Sequence, residues 1–347
     1  MHHMIQRAAQ AKLQEVASWM RIAIVSGPRQ AGKTTLLRQY QSDHGGTFIT
    51  LDDQQILEQV LNDPVTFAQS GARPLLIDEV QRGGDHLVRA IKLAVDENQE
   101  RNQFVLAGST QFLAIPTLSE SLAGRVGFIN LWGLSVAERC GYTGNFCDLA
   151  FNDPAAFVDS NSHWQRKDYI KAVIQGGYPE LLPMPATANA RHTWFTGYLT
   201  TIVERDISSF AEIERISALQ AILKLVAARA GSLVVQSDLA RSLQFNRETV
   251  RNYLGYLELV FLLATIPSWS NNLSSRIART PKTYVTDSGL AAHLLGVEAQ
   301  ALATPGHSAL GGLLETFVLS EIMKLQSVAD TPFEIHHYRE RDDREID

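Results

Sequence analysis

The chain has 347 residues, 45% of them hydrophobic, so it can bury two or three cores and needs no disulfide or metal staple. A net charge of −6 excludes a global attraction to nucleic acid and confines any such contact to a local patch. Cys140 and Cys147 are too few and too poor in nearby histidines for a zinc cage and read as reduced cytoplasmic thiols; no apolar run approaches the roughly 20 residues that cross a bilayer, and no signal peptide is expected.

Residues 5–20 place Ile5, Ala8, Ala9, Leu13, Val16 and Met20 at helical spacing, which predicts a helix leading into the first strand. Met1-His2-His3-Met4 is set aside from function. The apolar run 21–26 predicts that strand, and Gly27-Pro28-Arg29-Gln30-Ala31-Gly32-Lys33-Thr34 follows it as a complete P-loop. Gly27 and Gly32 let the backbone curl so that successive N–H groups face phosphate oxygens, and the helix carrying Thr34 and Thr35 aims its positive end at them. In that arrangement Lys33 bridges the β- and γ-phosphates and the Thr34 hydroxyl ligates Mg²⁺.

A strand at 47–51, closed by Asp52-Asp53, separates the P-loop from the next motif, an order seen in ATPases that carry a catalytic glutamate. That motif is the run 73–79, a buried-type strand ending in Asp78 and Glu79, which is tolerable only if its carboxyl end opens onto a polar site. Asp78 is then the Mg²⁺ ligand, directly or through water, and Glu79 polarises the attacking water. A further strand at 103–107 runs into Gly108-Ser109-Thr110-Gln111, where Ser109 or Thr110 either senses the γ-phosphate or caps the next helix. In Ser121-Leu122-Ala123-Gly124-Arg125 the arginine is a candidate to stabilise charge on the transferring phosphoryl group, in cis or from a neighbouring subunit. A surface role for Arg125, and Arg205 in Glu204-Arg205-Asp206, are the alternatives.

Residues 148–162 turn polar and read as a loop or linker; 163–215 are helical in pattern, with Gly176-Gly177-Tyr178-Pro179 as a turn first and a contact surface second. Helices at 217–230, 237–243 and 247–259 followed by a strand at 261–266 resemble a winged helix, with Ser237, Asp238 and Asn246 as caps. Arg247 and Arg251 stand four apart with Asn252 beside them, the face that would meet the major groove in a DNA-reading helix. From 236 to 282 there are six basic and three acidic residues, a modest local excess, and such a module serves equally as a lid or spacer.

Taken in order, Gly27–Thr35, Leu75-Leu76-Ile77-Asp78-Glu79-Val80-Gln81, Leu106–Thr110, Ser121–Arg125, Gly176–Glu180, Glu204–Asp206, Tyr284–Leu290 and Glu315–Glu321 resemble the prokaryotic AAA-type P-loop ATPases that bear a C-terminal domain of unknown function 4143. The resemblance implies an α/β fold with a P-loop NTPase parallel sheet and helices on both faces. A helical and winged-helix region and an incomplete restriction-nuclease-like α/β domain follow, with boundaries at 1–145, 146–215, 216–282 and 283–347. It implies ATP with Mg²⁺, and no Asn-Lys-x-Asp guanine-reading run is present. In nuclease-like folds of this relationship a helix glutamate and a strand aspartate precede a Glu-x-Lys strand. Glu315 and Asp347 match the first two and the chain stops before the third, so nuclease activity is not expected and an uncovered strand edge is. His336-His337 reads as surface.

The expected function is a Mg²⁺-dependent ATP hydrolase acting as a nucleotide-driven conformational switch. A DNA-binding or DNA-processing ATPase using Arg247 and Arg251 is the alternative, and a non-hydrolysing nucleotide-dependent interaction module a third. A homo-oligomer and an unknown protein partner are further expectations, and no membrane contact is expected.

Overall fold

A computed structural model describes residues 5–111, 122–158, 161–184, 187–211, 213, 215–271, 280–339 and 345–346. Met1–Met4, Ser121 and Asp347, all named above, lie outside the described residues. The chain divides into two compact units, 1–144 and 145–347.

The first unit is built on five parallel strands in the order β2-β3-β4-β1-β5. β1 (Ile22–Ser26), β3 (Leu75–Asp78) and β4 (Phe104–Gly108) are buried along their whole length, as continuous apolar runs covered on both faces must be. β2 (Thr47–Thr50), with threonines at both ends, is half-exposed throughout and takes an edge. The strand inserted in space between β1 and β3 is therefore β4, although 47–51 lies between them in sequence. The other edge is β5 (Val126–Asn130), which the sequence pattern does not reveal, because Val-Gly-Phe-Ile-Asn shows neither an apolar run nor clean alternation. Its glycine has a packing reason: a Cβ on Gly127 would sit 2.4 Å from Val16 Cγ1 on helix α1 (Ala8–Trp19).

Helix α2 (Lys33–His44) follows the P-loop; α3 (Gln54–Asn62) and α4 (Pro64–Gln69) lie between β2 and β3. Helix α5 (Gly84–Glu97) buries Leu87, Val88, Ile91, Ala94 and Val95, one apolar stripe at helical spacing. That stripe joins Ile22, Ile24, Leu75, Ile77, Phe104 and Leu106 in one core. Parallel register with Ile24 and Ile77 both opposite Leu106 then aligns the carboxyl ends of β1, β3 and β4, where the polar motifs sit.

The second unit contains all three segments expected at 146–215, 216–282 and 283–347. Part of the expected 148–162 loop is a short helix, Phe146–Asn152, because Asn145 Oδ1 accepts the Cys147 N–H at 2.9 Å and caps it. The expected trio of helices lies at Ile216–Ala228, Gln236–Leu243 and Arg247–Leu259, followed by the antiparallel pair β6 (Leu263–Ile266) and β7 (Lys282–Val285). Asn246 caps the third helix through Thr249 N at 2.7 Å; the second starts after Val235 without a side-chain cap, so Ser237 and Asp238 lie inside its first turn. β8 (Tyr338–Arg339) and β9 (Glu345–Ile346) form a second antiparallel pair.

Two motifs far apart in sequence meet here. Gly176, at φ 66°, ends the helix Arg166–Gln175, and Gly177 N–H donates to Asp287 Oδ2 at 2.7 Å. Asp287 Oδ1 accepts Leu290 N–H at 2.9 Å, capping the helix Ser288–Leu295. Gly176-Gly177-Tyr178-Pro179 is thus a turn, and its contact surface faces inward; Tyr178 is buried and donates to the Tyr198 hydroxyl at 2.9 Å.

Glu315 is not an open metal ligand. Its Oε1 accepts from Lys282 Nζ at 3.0 Å and from the Tyr284 hydroxyl, both on β7, and Lys282 is fully buried. Burial and this carboxylate push the Tyr284 phenol above its usual range. His337, read as surface, is buried at 4% exposure, because its backbone pairs on both sides, with Pro267 O at 3.0 Å and with Trp269 N at 2.7 Å.

A Cβ on Gly176 would lie 2.3 Å from Asp287 Oδ1 in a left-handed backbone, whereas one on Gly197, in the helix Ala188–Thr201, meets nothing within 4 Å. Gly176→Ala is expected to destabilise the second unit by about 2 kcal/mol or more, and Gly197→Ala to stabilise it by up to about 1 kcal/mol, as read by denaturant unfolding.

Candidate nucleotide-binding site

The P-loop closes against its neighbours through backbone that tolerates no side chain. A Cβ on Gly27 would come within 2.0 Å of Leu131 O, and Gly27 N–H donates to Gly108 O at 3.3 Å, tying the loop to the ends of β5 and β4. Gln30 at φ 62° and Gly32 at φ 96° supply the left-handed turns that curl the segment Gly27-Pro28-Arg29-Gln30-Ala31-Gly32 around its own N–H groups. Lys33 opens α2; its Nζ folds over the loop, 2.9 Å from Gly27 O and 2.9 Å from Pro28 O, and is buried. Thr34 and Thr35 follow on the exposed side of the first turn.

Thr34 Oγ1 donates to Asp78 Oδ2 at 2.6 Å, which joins the P-loop to the end of β3. Asp78 is 3% exposed, and this burial raises its carboxyl above the ordinary value; the Thr34 hydrogen bond and Lys33 oppose the rise, while Glu79 adds to it. Glu79 adopts the left-handed conformation at φ 53°, uncommon for a side-chain-bearing residue, and this kink ends the strand and sends the chain into a short 3-10 turn. Its Oε2 accepts from Ser109 Oγ at 3.2 Å and from Gln81 Nε2, and the same Gln81 Nε2 donates to Ser109 Oγ at 3.1 Å. Ser109 is therefore held at the end of β4 by the motif at the end of β3. Gln81 Oε1 and Thr110 Oγ1 are buried without a hydrogen-bond partner among the described residues.

Arg7 carries no signal in the sequence, where it is one arginine ahead of a helix. Its Nη1 donates to Ala31 O at 2.6 Å, its Nη2 to Trp132 O at 2.8 Å, and its Nε to Glu138 Oε1 at 3.0 Å. Glu138 is itself fixed by the Ser135 capping box of the short helix Val136–Arg139 and accepts Ala8 N–H at 2.9 Å. A planar five-donor group thus clamps the P-loop from behind.

Arg125 lies elsewhere. Its backbone O accepts Ile22 N–H at the amino end of β1, and its guanidinium pairs with Asp96 at 2.5 Å, holding that carboxyl below its usual range. The five residues of β1, at about 3.3 Å each, put it about 17 Å from the P-loop end of the sheet. That removes the cis reading of Arg125. Arg205 is exposed and belongs to the second unit.

Residues 20–140 match a family model described as an AAA domain, and residues 166–301 one described as Domain of unknown function (DUF8612). An uncharacterized protein of Mycobacterium tuberculosis is 30% identical over 344 residues, 99% of this chain and 70% of that protein. The chain belongs to one family with that protein, and its residues 20–140 are an AAA domain of P-loop type. An uncharacterized protein of Haemophilus influenzae is 24% identical over 298 residues, covering 79% of this chain and 69% of its own length. Among solved structures, a Walker-type ATPase of Pyrococcus abyssi shares the fold, with a TM-score of 0.52 and 14% identity over 84% of this chain and 96% of that one. The model matched after the AAA domain is DUF8612, where the sequence motifs resembled domain 4143.

In this AAA-type chain the donor chemistry suits Mg²⁺ bound with a nucleotide. Thr34 and Asp78 offer two hard oxygens, and no group of three His, Cys, Asp or Glu side chains gathers among the described residues. A hard cation held by one or two protein oxygens, with phosphate and water completing its shell, needs no more. No helix of the described residues is long and apolar enough to cross a membrane.

Asp78→Asn relieves a buried charge, so it is expected to raise the thermal midpoint of the chain alone by a few degrees while abolishing the added stabilisation by Mg²⁺-ATP, both read by thermal melts. Arg7→Ala is expected to weaken nucleotide binding about tenfold, with Arg7→Lys restoring only part, because one ammonium cannot reach all three acceptors; titration with a fluorescent ATP analogue measures both.

Proposed function

We propose that the chain is a Mg²⁺-dependent ATP hydrolase that works as a nucleotide-driven conformational switch. The observation that carries this reading is the alignment at one sheet end of a P-loop with Lys33, a Thr34–Asp78 pair and a glutamate, Glu79, one residue beyond the buried aspartate. Gly27 through Thr35 bind the phosphates, and Thr34 and Asp78 would hold Mg²⁺, which would supply positive charge against the phosphate oxygens. Lys33 Nζ leaves the Gly27 and Pro28 carbonyls for phosphate oxygens. Glu79 accepts a proton from the attacking water, and Ser109 contacts the γ-phosphate and reports its loss through the end of β4. Arg125, if it acts in the reaction, acts on a second copy of the chain.

The second unit carries the output in this reading, with residues 216–282 as a winged-helix-like module; the likeness to domain 4143 rests on motifs alone. The DNA-binding alternative is favoured by one observation: Arg247, Arg251 and Asn252 are all exposed on the Asn246-capped helix. The same face carries Glu248, 3.8 Å from Arg251, and Arg241 is paired with Asp238 at 3.7 Å, so the net positive charge offered there is small. This weighs the balance toward the switch.

Steady-state phosphate release tests the assignment. Glu79→Gln is expected to lower turnover about 100-fold or more with ATP binding retained, and Lys33→Ala to lose binding. Arg247→Glu with Arg251→Glu is expected to leave turnover unchanged in the presence and absence of duplex DNA; a salt-sensitive DNA stimulation lost in that variant would instead establish the DNA-processing reading.

A further inference from the structure

Gln81 stands two residues past Glu79 in the Leu75–Gln81 motif, and the ATPase reading assigns it nothing. Its amide has two protons, and both are used inside the site: Nε2 donates to Glu79 Oε2 and, at 3.1 Å, to Ser109 Oγ. The orientation of the amide follows from chemistry, since a carboxylate only accepts and the nitrogen must face it. Ser109 has a single proton, which it gives to the same Glu79 Oε2 at 3.2 Å. Both donors thus converge on one carboxylate oxygen. Glu79 Oε1 takes no side-chain hydrogen bond among the described residues and is the oxygen left for a water.

The proton count couples these groups. A γ-phosphate oxygen is a stronger acceptor than a neutral group, and it competes with Glu79 for the one Ser109 proton. When Ser109 turns to the phosphate, its lone pairs still accept from Gln81, so the serine stays in place while Glu79 loses one of its two donors. The carboxylate is then held in place by Gln81 alone, with Oε1 still open to a water, at the moment a γ-phosphate is present to be attacked.

We propose that Gln81 is a positioning residue that ties the Glu79 carboxylate to the Ser109 hydroxyl, so that Glu79 stays aimed at the attacking water when Ser109 turns to the γ-phosphate. Its buried Oε1, without a partner among the described residues, fits a side chain kept for the contacts of its nitrogen, because burying an unsatisfied carbonyl is unfavourable unless the amide serves elsewhere. The inference rests on the ATPase reading of Glu79 and goes beyond it.

The test is a double-mutant cycle in single-turnover and steady-state ATP hydrolysis on the full chain, with nucleotide affinity measured separately. Gln81→Leu is expected to lower kcat about tenfold or more while ATP affinity stays within about twofold. Gln81→Glu, which keeps the side-chain volume and removes the donor, is expected to do the same, so that a folding defect of the leucine variant cannot imitate the result. The double variant of Gln81→Leu and Ser109→Ala is expected to fall within about threefold of the worse single variant, since both act on one carboxylate. A kcat for Gln81→Leu and Gln81→Glu within about twofold of the parent would overturn the role of Gln81 and, where Glu79→Gln still abolishes turnover, leave the ATPase reading standing. Fully multiplicative effects of the two substitutions would overturn the coupling. A parent chain that binds ATP and releases no phosphate would overturn both readings together.

Discussion

Asp78 is a carboxylate withheld from water at the end of a strand that is buried on both faces, and the phosphate end of the sheet is organised by what that charge requires. Taking a carboxylate out of water is costly unless hydrogen bonds and opposite charge replace the solvent. The Thr34 hydroxyl at 2.6 Å, the Glu79 N–H at 3.1 Å and the nearby Lys33 do this only in part, since the carboxyl still sits above its ordinary value. The remaining deficit is what a divalent cation would cancel, so the polarity of the site and its incompleteness have one cause. The same constraint explains the left-handed kink at Glu79. In a continuing strand two consecutive carboxylates point to opposite faces. A break in the backbone directly after Asp78 lets Glu79 turn toward Ser109 on the adjacent strand.

Much of this is legible in the amino-acid order alone. Gly27–Thr34 announces itself because each position has its own steric or chemical requirement, and 73–79 because an apolar run ending in two acids can be buried only where its last residues open onto a polar site. What escapes has physical reasons too. β5 is an edge strand whose faces meet different neighbours, so its residues follow no single period. Arg125 resembles a charge-stabilising arginine by its setting after a glycine, but spacing along the chain does not say at which end of a parallel strand a residue emerges; the register with Ile22 does. Arg7 and Gln81 act through contacts to residues 24 to 131 positions away, for Arg7, and 28 away, for the Gln81–Ser109 bond. Nothing local marks either.

In the second unit the most suggestive polar residues turn out to be fasteners. Glu315, the candidate metal-site glutamate, is neutralised by a fully buried lysine and a tyrosine on β7, and Gly231 is held close beside it: a Cβ there would meet Glu315 Oε2 at 2.5 Å. Gly176 and Asp287 make a comparable closed contact. A buried ion pair such as Lys282–Glu315 contributes less to stability than its Coulomb attraction suggests, because desolvation offsets it, yet breaking it leaves a charge stranded. Its effect is to specify that the helix carrying Glu315 meets β7, as the Asp287 contact specifies which two helix ends meet. A carboxylate already matched by a lysine and a phenol has little capacity left for a metal, which is why the geometry argues against nuclease chemistry at Glu315.

The clamp behind the P-loop bears on how such a switch would signal. Arg7 joins the carbonyl of Ala31 to Trp132 and to Glu138, so the loop that receives phosphates and the segment after β5 share one guanidinium. Phosphate binding depends on N–H groups already aimed before the ligand arrives, because reorienting them during binding would cost the energy the contact releases. A rigid link from behind supplies that aim, and it also makes the loop unable to move alone: a shift of the P-loop backbone must be taken up by the Val136–Arg139 helix, or else break a charge-assisted bond in a half-buried site. On the opposite side, Ser109 joins Glu79 and Gln81 through a single hydroxyl that can turn to another acceptor. In the proposed switch the firm connection would lie on the side that meets any nucleotide, and the adjustable one on the side facing the γ-phosphate, which is the division of labour a hydrolysis-driven switch requires.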